Sequence, residues 1–217
     1  MPNPEDSTDR DDAHSRETSA VDDPARRTRR TYETVAERYH ERTGDIDALV
    51  PEVERLCERL PDSPRVLDAG CGPGRDAAHL RDAGARVVGL DVAAAQLHLG
   101  REEAPGARFA QGDLRALPLA TDSVDGVWAA ASLLHVPRED VDAALSELHR
   151  VTRPGGALFA SLKPGDGDEL THGYGTDEGR YFVFHDPETF ADRVRDAGFA
   201  VDRLDVEADW FRLSATA

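Results

Sequence analysis

The chain has 217 residues, with 43 acidic side chains against 26 basic ones and a formal net charge of −17. That length favours one domain with one sizeable core, and no apolar run reaches the ~18 residues that a membrane-spanning helix needs. So much negative charge disfavours nonspecific binding to nucleic acid or anionic membrane, and the two cysteines, Cys57 and Cys71, form neither a disulfide framework nor a metal spacing.

Residues 1–24 carry eight acids and two arginines. They read as a disordered, solvating tail without the apolar core of a signal peptide, so a cytoplasmic location is expected. The run Arg26-Arg27-Thr28-Arg29-Arg30 that follows is expected to be a solvated or intramolecular charge cluster rather than a nucleic-acid contact. Tyr32, Val35, Ala36 and Tyr39, at i, i+3, i+4 and i+7, predict a helix over 31–43. A second helix over about 46–60 would bury Ile46, Leu49, Val50, Val53, Leu56, Cys57 and Leu60, and Pro61-Asp62-Ser63-Pro64 stops it.

The most informative stretch comes next. Val66-Leu67-Asp68-Ala69 is a short apolar run carrying an acid, and Gly70-Cys71-Gly72-Pro73-Gly74 places three glycines at alternate positions before a helix from about Asp76. A strand, a tight glycine loop and a helix in that order bind nucleotide-like ligands at the carboxyl edge of a parallel sheet. The G-x-G-x-G spacing differs from the G-x-G-x-x-G of dinucleotide sites. Asp68 would repel a pyrophosphate and suits a cationic amino group. The strand 85–91 ends in Asp91, placed for ribose hydroxyls, and the strand 107–113 ends in Asp113. Three strands that each close on an acid suggest a phosphate-free nucleoside ligand.

Helix 93–103, strand 124–131, helix 138–152 and strand 157–162 continue the alternation. A long Gly-rich connection, 163–186, reads as a functional loop or lid. Asp186-Pro187 predicts a helix start, Gly198 its end, and 200–206 with 210–216 a terminal antiparallel hairpin. Repeated strand–helix units with short links imply an α/β fold with a mainly parallel sheet covered on both faces.

Five segments taken together resemble the class I S-adenosylmethionine-dependent methyltransferases. They are Leu67-Asp68-Ala69-Gly70-Cys71-Gly72-Pro73-Gly74, Gly89-Leu90-Asp91, Gln111-Gly112-Asp113, Asp122-Ser123-Val124-Asp125-Gly126-Val127 and Leu148-His149-Arg150-Val151-Thr152-Arg153-Pro154-Gly155-Gly156. The resemblance implies a Rossmann-like seven-stranded sheet with an antiparallel C-terminal strand, over a domain 25–217 whose helices at 25–60 cover part of the substrate. It also implies methyl transfer from S-adenosylmethionine to a small molecule, with S-adenosylhomocysteine as product. In this family Asp68 faces the methionine amino group, Gly70, Cys71, Gly72 and Gly74 line the methionine portion, and Asp91 takes the ribose diol. Val92, Gln96, Asp113, Leu114 and Ala130 complete the cofactor shell, with Asp113 and Leu114 flanking the adenine.

The reacting centre falls at 129–135. That segment lacks the polar-Pro-Pro-aromatic tetrad of nucleobase amino-methyltransferases, which argues against a nucleic-acid acceptor. His135 is the candidate general base, and Tyr32, Tyr39, Tyr174, Arg180 and Tyr181 are the candidate substrate shell. No metal is expected: Asp122 and Asp125 read as turn and strand-start residues. An NAD(P)-dependent oxidoreductase and a non-catalytic cofactor-binding regulator are the alternatives. Dense acid with Lys163 as the sole lysine resembles cytosolic proteins of salt-accumulating halophiles, so the fold is expected to need high salt. Equal melting temperatures in 0.1 M and 3 M KCl would refute that expectation.

Overall fold

A computed structural model describes residues 24–43 and 47–217; the acidic tail 1–23 and Ile46 lie outside the described residues. Seven strands form one sheet: β1 (Arg65–Ala69), β2 (Arg86–Asp91), β3 (Arg108–Gln111), β4 (Val124–Ala130), β5 (Thr152–Leu162), β8 (Ala200–Val206) and β9 (Phe211–Thr216). Their spatial order is β3-β2-β1-β4-β5-β9-β8. Pairing is parallel from β3 through β5, and β9 runs antiparallel to both β5 and β8. Alternate residues of each strand feed opposite faces, as the two-residue pleat requires. On β5, Leu158, Ala160 and Leu162 join one core with Leu145, Leu148 and Phe190, while Ala157 and Phe159 join the other with Val53, Leu56 and Leu80.

The helices are α1 (Pro24–Arg42), α2 (Val50–Glu58), α3 (Arg75–Asp82), α4 (Ala94–Glu103), α5 (Val141–Val151) and α6 (Pro187–Asp196). Three differ from the sequence expectation. α1 begins at Pro24, so the basic run forms its first turns instead of preceding it; Thr28 there is buried, which tethers the run to the domain. α2 is shorter than 46–60, because Pro51 fits only the first turn of an α-helix and a 3₁₀ turn at Asp47–Leu49 leads into it. α5 is likewise preceded by a 3₁₀ turn, Arg138–Asp140. α6 matches expectation in detail: Asp186 accepts the Thr189 N–H at 2.9 Å, and Pro187 takes the first helical position.

The connection 163–186 is not a loop. It folds into a separate antiparallel ribbon, β6 (Asp168–Gly173) with β7 (Thr176–Val183). Tyr174 and Gly175 make its turn with φ of 58° and 70°. Positive φ at both central residues is the two-residue turn whose twist matches paired strands.

This ribbon and α1 hold each other. Thr28 Oγ1 accepts the Tyr181 N–H at 2.9 Å, and Thr31 Oγ1 donates to the Gly179 carbonyl at 2.9 Å. Arg38 donates to the Tyr174 carbonyl at 2.5 Å. On its other side α1 offers Glu33, whose two carboxylate oxygens accept the Ala94 and Ala95 N–H groups at 2.8 and 2.9 Å. α4 has Ala93 as N-cap, with no side chain of its own to close its first turn. A carboxylate from another helix does it instead.

Candidate active site

The order of pairing reverses direction between β1 and β4, so a crevice opens at their carboxyl ends. α1 roofs it, braced from behind by the β6–β7 ribbon. The resulting cleft holds about 980 Å³ with its mouth included, and its walls include Tyr32, Tyr39, Gly70, Asp91, Ser132 and His135.

The floor is the glycine loop, where all three glycines have positive φ: 81° at Gly70, 50° at Gly72 and 83° at Gly74. Their steric reasons differ. A Cβ on Gly70 would sit 2.3 Å from Ser132 Cβ, and one on Gly74 would lie 2.7 Å from Gly100 Cα. Those two glycines leave room for protein atoms, and Gly70 lines the cleft as well. Only Gly72 faces open space, with Tyr39 Cε1 at 3.7 Å the sole near atom. Cys71 is buried, and burial followed by the Asp68 charge pushes its thiol well above the usual range. It also lines the cleft.

Four carboxylates lie at the cleft: Asp76, Asp91 and Asp113 line it, and Asp68 sits beside it. Asp91 accepts the Gly72 N–H at 2.9 Å and the Ala93 N–H at 2.8 Å, so it ties the loop to the start of α4 while lining the wall. Burial raises its pKa, and those backbone donors only partly offset it. Asp113 lies two residues beyond the end of β3 at Gln111, so the expectation that β3 itself ends in an acid fails. Burial would raise its pKa, but hydrogen bonds from Arg115 prevail and hold the carboxyl below its ordinary value. Arg115 Nη2 lies 2.7 Å from Asp113, and its Nη1 reaches Asp140 at 2.6 Å. Asp68 lies under the loop, is 2% exposed and does not line the cleft. Burial, then the neighbouring charge of Asp76, holds its pKa well above normal, and its Oδ2 has no hydrogen-bond partner.

Asp68 Oδ2 is not alone. Gln96 Oε1 and Ser132 Oγ are also buried without partners, and both residues line the cleft. Leaving such a group unpaired costs ~1–3 kcal/mol. The site therefore fits a ligand that brings donors, above all a cationic one near Asp68. Val92, Leu114 and Ala130 supply apolar wall.

The roof carries a directed chain of hydrogen bonds. His135 Nδ1 is 2.7 Å from the Tyr181 carbonyl, which can only accept, so Nδ1 carries the proton and Nε2 a lone pair. The Tyr32 hydroxyl therefore donates to Nε2 at 2.9 Å and itself accepts from Arg180 Nη1 at 3.2 Å. Burial lowers the His135 pKa to about 4, keeping the ring neutral, and burial likewise raises that of Tyr32.

Of the expected substrate shell, Tyr32, Tyr39 and His135 line the cleft. Tyr174 and Arg180 stand behind them, with the guanidinium 4.7 Å from the Tyr174 ring centre. Tyr181 does not belong to the shell through its side chain, because its hydroxyl turns outward to bond Asp168. Only its backbone serves the site. Sequence reasoning overlooked Arg75, Asp76, Thr28, Ser132 and Arg115. Asp76 had a readable signal, the first turn after the glycine loop. It is buried there, accepting the Trp128 indole N–H at 2.8 Å and pairing with Arg75. Asp125 is a structural acid, accepting from the Arg65 N–H at 2.7 Å and from Arg153.

Strand order, glycine loop, reversal point and helical roof together define the class I methyltransferase fold. The solved 1,6-didemethyltoxoflavin-N1-methyltransferase of Burkholderia thailandensis, with 1,6-didemethyltoxoflavin and S-adenosylhomocysteine bound, shares it. Its TM-score is 0.73 at 22% identity, over 90% of this chain and 91% of that one. Residues 66–156 match the family described as a methyltransferase domain, so this segment carries a methyltransferase domain. It is 38% identical over 143 residues to a malonyl-[acyl-carrier protein] O-methyltransferase of Pseudescherichia vulneris, covering 64% of this chain and 55% of that one. Its likeness to the enzyme of the same name from Halorhodospira halophila is 37% over 193 residues, 83% of this chain and 63% of that one. The chain thus spans little more than half to three-fifths of the length of these curated relatives.

Proposed function

We propose that this chain transfers the methyl group of S-adenosylmethionine to a small-molecule acceptor and releases S-adenosylhomocysteine. The observation that carries this reading is the pair of partnerless buried acceptors near the carboxyl edge of the sheet, Asp68 Oδ2 on β1 and Gln96 Oε1 on α4. When bound, S-adenosylmethionine supplies a methyl carbon made electrophilic by its sulfonium. Asp68 would meet the ligand's ammonium directly or through water, and Gly72 would leave room for its methionine portion. Asp91 would take the ribose hydroxyls on lone pairs not used by its backbone donors. Gln96, Val92, Leu114 and Ala130 would surround the base, with Asp113 fixed in place by Arg115.

Such a displacement needs no protein nucleophile, so orientation and exclusion of water carry it; holding two reactants in line can supply ~7–11 kcal/mol. α1 and the β6–β7 ribbon would be the cover that does this, with Tyr32 and Tyr39 facing the acceptor. His135, with both ring nitrogens engaged, would orient Tyr32. The named relatives support an oxygen acceptor. We read the domain as 25–217, and the acidic, lysine-poor composition as that of a cytoplasmic halophilic protein with no nucleic-acid partner.

Thermal unfolding in ~3 M KCl with S-adenosylmethionine, S-adenosylhomocysteine or NAD tests the cofactor. A ligand that binds only the native state, at 100 times its Kd, stabilises by ~2.7 kcal/mol. Stabilisation by the two adenosyl ligands is expected. Stabilisation by NAD alone would overturn the reading and favour an oxidoreductase, and binding without turnover over a broad acceptor panel would leave a non-catalytic regulator.

A further inference from the structure

We propose that Glu33, on the roof helix α1, is a positioning residue for the cofactor. Through the first turn of α4 it fixes Asp91 to meet the ribose hydroxyls, so that filling the ribose site and holding the roof shut reinforce each other. The proposal rests on the methyl-transfer reading above and adds to it a link between roof and cofactor.

Glu33 is not among the residues that line the cleft, so its influence there passes through others. α4 opens on Ala93, Ala94 and Ala95, none of which has a side chain able to cap a helix. Two carboxylates from outside the helix divide its first N–H groups instead. Asp91 Oδ1 accepts from Ala93 at 2.8 Å, while Glu33 accepts from Ala94 and Ala95 at 2.8 and 2.9 Å. Asp91 Oδ2 accepts the Gly72 N–H at 2.9 Å, and the same carboxylate lines the cleft. Asp91 is therefore clamped between the glycine loop and a helix start that α1 holds in place. The residue before Glu33 reaches α4 as well. The Tyr32 carbonyl lies 3.5 Å from Gln96 Nε2, and Gln96 Oε1 is the partnerless end of that amide.

An acceptor fixed before its ligand arrives binds more tightly than one that must be ordered on binding. Without Glu33 the first turn of α4 loses the acceptor for two N–H groups, and the neighbouring Ala93 N–H no longer holds Asp91 in one orientation. The Gly72 bond alone is left. Linkage makes the effect mutual: whatever affinity Glu33 adds for the cofactor, the cofactor adds to the grip of Glu33 on α4. The charges favour this direction. Burial, followed by the nearby Glu33 charge, raises the Asp91 pKa. Ribose hydroxyls donating to Asp91 would disperse its charge and ease its repulsion of Glu33.

The test uses the full chain in ~3 M KCl and titration calorimetry with S-adenosylhomocysteine and its 2′,3′-dideoxyribose analogue. Wild type should prefer the natural ribose about tenfold or more, as hydrogen bonds to a charged acceptor imply. Glu33→Ala should shrink that preference at least about threefold, with Glu33→Gln, which keeps one acceptor oxygen, in between. A merely structural role would weaken both ligands alike and leave their ratio standing. Hydrogen exchange supplies the reverse arm: S-adenosylhomocysteine should slow amide exchange over 28–36 of α1 in wild type and much less in Glu33→Ala. An undiminished ribose preference in Glu33→Ala, or equal slowing of α1 in the two proteins, overturns the proposal. A wild type that binds the two ligands equally also overturns it and leaves methyl transfer standing. A wild type that binds neither defeats the methyl-transfer reading, and the proposal with it.

Discussion

Replacing Glu33 by Ala should loosen two helices at once. Glu33 accepts two backbone N–H groups of α4, one per carboxylate oxygen, in a helix whose own N-cap is Ala93. Losing a capping acceptor costs ~0.5–2 kcal/mol, and a negative charge at a helix N-terminus adds ~0.3–1 kcal/mol when exposed. The side chain is 31% exposed, which places the sum near 1–2 kcal/mol; the pair with Arg29, at 3.8 Å and with Arg29 54% exposed, adds little. For a chain of this size each kcal/mol shifts Tm by ~2–4 °C, so Glu33→Ala should melt roughly 2–8 °C below wild type. Glu33→Gln keeps one acceptor oxygen and loses the charge, so it should cost about half as much. The gap between Glu and Gln should also narrow from 0.5 M to 3 M KCl, as screening shortens to a few Å. Calorimetry of the three proteins at both salts is the assay. A Glu33→Ala protein melting within 1 °C of wild type, or Gln as damaging as Ala, would refute the capping argument.

Further predictions concern the loop, the core and pH. Gly70→Ala, with φ at 81° and a Cβ 2.3 Å from Ser132 Cβ, should cost ~3 kcal/mol or more, whereas Gly72→Ala pays only the ~1 kcal/mol of its backbone conformation. Equal losses of Tm would contradict that division. Trp128→Phe deprives the buried Asp76 of its indole donor and should destabilise by ~1–3 kcal/mol, measured by urea unfolding. The His135 pKa of about 4 lies below its unfolded value of 6.5, so between those pH values the unfolded chain binds more protons. The resulting stability is complete above pH ~6.5 and is lost as pH falls toward 4. The full effect is about 3 kcal/mol. The stability difference between wild type and His135→Gln should therefore shrink between pH 7 and 4.5, and a constant difference would count against a neutral, buried ring. Asp68 acts in the opposite sense: its raised pKa means that protonation relieves a buried charge, so Asp68→Asn should gain stability at pH 7 while losing affinity for S-adenosylhomocysteine.

The sheet was largely readable because its signals are local. Strand β1, the glycine loop and α3 follow one another within about 20 residues, and the Asp186-Pro187 start of α6 is a two-residue code. What escaped was decided by distant partners. The glycines at 165, 167, 173, 175 and 179 suggest a loop, yet Tyr174-Gly175 is a turn, and α1 supplies the contacts that make a ribbon worthwhile. The start of α1 was hidden for the same reason: Thr28 in a basic run looks solvated until β7 is laid beside it. Arg180 could be suspected of binding a carboxylate or of pairing with a nearby Glu. Two of its rings, Tyr174 and Phe182, are local in sequence, but Tyr32, which accepts its hydrogen bond, is 148 positions away, beyond any window of sequence. The need for Gly70 and Gly74 is legible in the sequence, while the protein atoms they make room for, on Ser132 and Gly100, are not.

The bonds between α1 and β7 join residues 148 and 153 positions apart. Long-range closures of this kind form late, because the loss of chain freedom comes before their reward. The strand edge that would receive the cofactor is complete once β4 has docked, whereas α1, which meets α4 on one side, lacks its second support until the ribbon has formed. The molecule is thus built as a seat first and a ceiling last. A destabilised ribbon should leave the nucleoside end of the site intact and abolish only the chamber above it.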